Sequence, residues 1–105
     1  MKALRRQKAR PQAGFEDEYQ SCLHQYVAGG GELALGRAYD LGRRALAERK
    51  SLVDMASLHH QAVLALVRRG EGEARLAEFL PATAEFLAEC LSPYEMAHRG
   101  FQEAV

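Results

Sequence analysis

The adjacent pair His59 and His60 are the residues of this chain best suited to chemistry. Imidazoles hold metal ions, move protons and carry phosphoryl groups. A metal site on one helix takes ligands at i and i+3 or i+4, because sequence neighbours face about 100° apart. The residues four positions on are Val63 and Leu64, and neither is a ligand. Phosphotransfer needs an exposed ring with a Lys or Gln beside it. Gln61 is present but on the opposite face. A histidine phosphotransfer module using His59 or His60 is therefore the alternative function, and exposure is the property that decides it. On a helical wheel His59 falls between Leu52 and Leu66, and His60 between Val53 and Val67. That placement predicts two mostly buried, hydrogen-bonded rings at a core or subunit interface, with no metal.

Other catalytic patterns fail on spacing. Of four serines, Ser51 and Ser92 read as helix caps. There is no Gly-x-Ser-x-Gly elbow, and Gly29–Gly31 lacks the Lys and Ser/Thr that follow a phosphate-cradling loop. Glu16 and Glu18 sit in a first helical turn, where acids are favoured electrostatically. These residues predict no catalytic centre, no metal and no cofactor.

The C-terminal cluster Tyr94, Glu95, His98, Arg99 and Phe101 has a different character. Glu95 and Arg99 are spaced as an i,i+4 ion pair. Aromatic rings beside an arginine are the anchors that protein interfaces favour. The cluster reads as a partner-binding or dimer surface, with His59 and His60 as further candidates for it.

These residues ride on helices. From Phe15 one arc collects Tyr19, Cys22, Leu23, Tyr26 and Val27, with His24 pointing away, and Gly29-Gly30-Gly31 ends the pattern. The second helix runs from about Glu32 to Arg49. Ala34, Ala38 and Gly42 recur along it every four residues, so another helix can approach closely. Arg37, Arg43, Arg44 and Glu48 form its wet side, with Asp40 and Arg44 an expected i,i+4 pair. Ser51 and Asp54 have capping-box spacing and start a third helix that reaches about Arg69. Its apolar arc spans about 200°, wider than an edge helix needs. A cover from two directions is expected, and a second subunit would supply one of them.

A fourth stripe holds Leu76, Phe79, Leu80, Phe86, Leu87, Cys90 and Leu91. It keeps phase across Pro81 and again across Pro93, through Tyr94, Ala97, Phe101 and Val105. Ser92-Pro93-Tyr94-Glu95 also has the chemistry of a helix start. Phase favours one long, kinked helix over a restart. Tyr94 and Phe101 are then expected on the face of Phe86 and Leu87. The fold expected is all-α: four helices with a long kinked C-terminal helix, dimerising.

Charge and composition bound the function. Five of the 14 basic residues fall in residues 1–12, where there is no acid, leaving nine against 14 acidic residues in the body. An acidic body argues against nucleic acid as partner. Residues 1–14 read as a disordered basic arm and 15–105 as one domain. No apolar run is long enough for a bilayer, and no apolar segment follows the basic N-terminus as in a signal peptide. Cys22 and Cys90 read as reduced, buried side chains, so a cytoplasmic, membrane-free location is expected.

Four blocks carry a family resemblance: Tyr19 to Tyr26 with the glycine turn, Ala38-Tyr39-Asp40-Leu41-Gly42-Arg43, Leu58-His59-His60, and Phe86-Leu87 running into Leu91-Ser92-Pro93-Tyr94-Glu95-Met96-Ala97-His98-Arg99-Gly100-Phe101. The last is the most specific. Together they resemble the N-terminal domains of RsbU-type stress phosphatases, a group that shares a fold class with the C-terminal domain of KaiA. The resemblance implies a non-catalytic input module in bacterial signal transduction. It implies homodimerisation and binding of a protein partner such as a switch kinase, in a partner-switching stress response. In that family an output domain follows. The expectation here is either a fragment of a larger phosphatase or kinase, or a free-standing adaptor.

Overall fold

The computed structural model describes residues 11–69 and 76–104. The described residues are helical with no strand. Helix α1 spans Pro11–Gln25, α2 spans Gly31–Ala47, α3 spans Leu52–Arg68 and α4 spans Leu76–Ala104. Helix α1 begins four residues ahead of Phe15, and the basic arm expected over residues 1–14 falls mainly outside the described residues.

The four-helix expectation is corrected in one respect. A π-helical turn over Tyr26–Gly30 joins α1 to α2 with no intervening loop, so residues 11–47 are one bent helical run, followed by α3 and α4. The bend comes from Gly29 at φ 104° and Gly31 at φ 65°. Both are left-handed values that L side chains resist. Gly29 itself is non-helical, so the run is two helices meeting at a kink, where the glycines were expected to end the first.

Helix α2 does end sharply. The Arg49 amide donates to the Leu46 carbonyl and the Lys50 amide to the Ala45 carbonyl, 3.0 Å each. This crossed pair satisfies the last carbonyls and needs a left-handed residue, which here is Arg49 at φ 65°. Helix α3 then opens with the capping box expected from sequence. The Asp54 amide donates to Ser51 Oγ at 3.0 Å, and the Ser51 amide donates to the Asp54 carboxylate at 3.2 Å.

The core is built from every element. Tyr19, Leu23, Leu41, Met55, Leu66, Phe86 and Cys90 are its most deeply buried side chains. Helices α2 and α4 pack most extensively. The row Ala34, Ala38 and Gly42 is buried, and a Cβ built on Gly42 would run into the carbonyl oxygen of Cys90. The small residues thus serve an intramolecular contact. Arg44 donates from Nη1 to both oxygens of Glu18 at 2.9 Å and so ties α2 to α1. This replaces the expected Asp40 pairing, because α1 presents a carboxylate across the gap.

Helix α4 runs unbroken through Pro81 and Pro93. Each proline removes one backbone donor. Thr83 donates to the Leu80 carbonyl at 2.7 Å beside the first. At the second, Ser92 does not cap a new helix: its hydroxyl points to Met96 Sδ at 3.9 Å. Phase, not local capping chemistry, describes the segment.

Candidate functional site

The candidate residues occupy two places. The first is where α3 meets α1. Tyr19 is fully buried on α1, edge-on to Phe86 at 5.3 Å and to His59 at 6.0 Å between ring centroids. Its hydroxyl lies 2.7 Å from His59 Nδ1. Burial raises the phenol's pKa, so it keeps its proton and donates it to Nδ1. His59 accordingly carries its own hydrogen on Nε2. Burial first, and the neighbouring His60 second, hold the His59 ring below the ordinary histidine value.

The expectation that both rings are buried is half corrected. His59 is half-buried and bonded, as expected, but His60 is exposed. Helix α3 turns Met55, Ala62 and Leu66 to the core, and His60 lies roughly opposite them. The same geometry leaves Leu52 and Val53 exposed at 55% and 78%, and Val67 at 38%. Among the described residues the wide apolar arc is therefore covered from one direction only.

The second place is the end of α4. Tyr94 is half-buried against the core, and its hydroxyl donates to the Lys50 carbonyl at 2.6 Å. This bond fastens α4 to the turn between α2 and α3. Burial first, with the Asp54 carboxylate adding to it, pushes the Tyr94 phenol above its usual value. Beyond it every residue from Glu95 to Gln102 is exposed. Arg99 Nε reaches Glu95 Oε2 at 3.1 Å, the pair expected from spacing. Phe101 is 69% exposed, so the expectation that it packs with Phe86 and Leu87 is corrected. The stripe keeps phase, but at Phe101 it faces solvent.

The described residues hold no cluster of three or more His, Cys, Asp or Glu side chains suited to a metal ion. Cys22 and Cys90 are free and buried, and burial pushes the Cys90 thiol up to about 12. A groove of about 250 Å³ lies between α1 and α3, lined by Glu16, Asp17, Gln20, Asp54 and Gln61 among others. Its lining mixes polar and apolar side chains, and periodicity gave no sign of it because its walls come from two helices. Leu52, Val53 and Val67 also escaped selection as site residues. Their signal was the excess width of the apolar arc.

Residues 17–97 match the sequence model of the family described as phosphoserine phosphatase RsbU, N-terminal domain. The chain belongs to that family. The match takes in both places described above, from Tyr19 and the histidines to Tyr94 and Glu95, and ends just short of His98 and Arg99. The RsbU N-terminal domain is a non-catalytic part of a stress-response phosphatase. No curated protein and no solved structure matches the chain. No described helix of this RsbU N-terminal-type domain is long and apolar enough to cross a membrane.

Proposed function

We propose that this chain is a regulatory input domain that homodimerises and binds a protein partner in bacterial partner-switching signalling. The family match over residues 17–97 carries the reading. Two surfaces support it. One is the bare apolar face of α3, and the other is the exposed segment Glu95 to Gln102. Partner binding falls to the second, where Tyr94, Glu95, His98, Arg99 and Phe101 gather a ring, a charge pair and an unburied aromatic on one helix end.

The test is capture of partners from the native cell by the wild-type chain and by Arg99→Glu, identified by mass spectrometry. The exposed α2 residue Arg43 supplies the control substitution Arg43→Glu. Loss of one protein with Arg99→Glu and its retention with Arg43→Glu is the expected result. Equal capture by both variants would reduce the signature segment to a solvated helix end. A phosphotransfer role keeps one supporting observation, the exposure of His60. Acid-labile phosphate on His60 after incubation with a phosphorylated receiver domain would establish it.

A further inference from the structure

We infer that a second copy of this chain docks on the bare face of α3, with the two α3 helices antiparallel and His60 on the twofold axis between them. The inference rests on the dimeric reading above and names its surface. Val53, Ala56, His60, Val63 and Val67 follow one another at spacings of three, four, three and four. That is the seam of a helix that pairs with another helix. Val53, Ala56, His60 and Val67 are exposed, and Val63 is half-buried at the border of the core.

The ends of the seam are symmetric about His60. Val53 and Val67 lie seven residues to either side, and Ala56 and Leu64 lie four to either side. An antiparallel twofold therefore sets Val53 against Val67, Ala56 against Leu64 at the edge of the seam, and Val63 against Ser57, once in each half. A single polar residue at a seam position is the kind that fixes register. Charge selects the direction. Asp54 stands in the first turn of α3 and Arg68 in the last. Antiparallel pairing brings acid toward base at both ends, whereas parallel pairing stacks like on like. The helix dipoles point the same way.

The arrangement makes the dimer sensitive to acid. The groups facing His60 are its neighbour His59, the Tyr19 hydroxyl from α1 behind it, Asp54 and Arg68 about two turns away, and His60 of the second copy. None of these is an anion close enough to hold two imidazolium charges together. Protonation of both rings opposes association.

Cysteine crosslinking of the full chain tests the geometry. Cys22 and Cys90 are buried, so the wild-type chain is the unreactive background. His60→Cys should form a disulfide-linked dimer on mild oxidation. Val53→Cys alone, or Val67→Cys alone, should not, since each lies about 20 Å along the axis from its own copy. A mixture of the two variants should crosslink. Self-crosslinking of Val53→Cys would overturn the antiparallel pairing. No linkage of His60→Cys in a chain that sediments as a dimer would overturn the surface and leave the dimeric reading standing. A wild-type monomer at high micromolar concentration would overturn both. Sedimentation between pH 7.5 and 5.5 should show dimerisation weakening about tenfold or more, and His60→Leu should remove that dependence. A pH-independent wild-type dimer would overturn the central placement of His60.

Discussion

Helices α2 and α3 have 17 residues each and are used in opposite ways. Helix α2 buries Ala34, Ala38, Gly42 and Ala45, the smallest side chains available, and so brings its backbone onto that of α4. Helix α3 buries Met55, Ala62 and Leu66 on one side and leaves Leu52, Val53 and Val67 in water on the other. In α2 apolar residues are spent on closeness within the chain. In α3 four of the eleven, Leu52, Val53, Ala56 and Val67, stay in water. Width of an apolar arc and packing of a helix are thus separate properties, and their mismatch marks a surface with work outside the fold.

The contrast breaks first at Gly42. A methyl there meets the Cys90 backbone, which has no rotamer to move aside. Gly42→Ala should destabilise the domain by about 3 kcal/mol, near the top of the usual overpacking range. Urea denaturation measures it, and a loss below about 1 kcal/mol would mean that α2 and α4 separate easily.

His59→Ala comes next. It strips the buried Tyr19 hydroxyl of its acceptor. A cost of about 1–3 kcal/mol is expected, dominated by the orphaned donor. The double variant with Tyr19→Phe should recover part of it, since no donor is then left unpaired.

The pH dependence sharpens the same site. The folded chain holds the His59 pKa below its ordinary value of 6.5. Below that value the unfolded chain binds the extra proton more readily, so unfolding gains from acid. Stability should be full above pH 6.5 and fall as pH drops through the folded-state value. Urea midpoints across that window check the slope, and His59→Ala should flatten it.

Val53→Glu should be the mildest. Its side chain is 78% exposed, and an exposed substitution of this kind changes the stability of the single chain by no more than about 0.5 kcal/mol. Thermal melts at dilution check this. A large loss would place Val53 in the core of the chain after all.

Much of this was legible in the sequence because it depends on one helix at a time. The Ser51–Asp54 box, the unbroken phase across Pro93 and the Glu95–Arg99 pair are all local. What failed depends on a second element. Arg44 passes over Asp40 because Glu18, 26 residues away, lies across the gap between α1 and α2. Tyr19 and His59 are 40 residues apart, and no periodicity links them. Ser92 had good cap chemistry, but Tyr94 and the buried Pro93 hold α4 together through that point. The break at the glycine turn was legible, since Gly29 does leave the helical region, but not that a π turn would take the place of a loop there. Of the candidate site, wheel phase placed His59 correctly and misplaced His60 and Phe101.

The bond from Tyr94 to the Lys50 carbonyl has a mechanical consequence. It pins a helix of 29 residues about two thirds of the way along its length. The stretch beyond the pin is about 15 Å long, at 1.5 Å per residue, and its near end still meets α2, where the Tyr39 hydroxyl lies 3.9 Å from Met96 Sδ. The packed arm lies against α2 and the outer arm lies largely in water, so the helix acts as a lever with Lys50 near its fulcrum. A small rotation of the packed arm near Phe86 swings the tip through a comparable arc in the opposite sense. Whatever grips the tip can, by the same leverage, push back on the core.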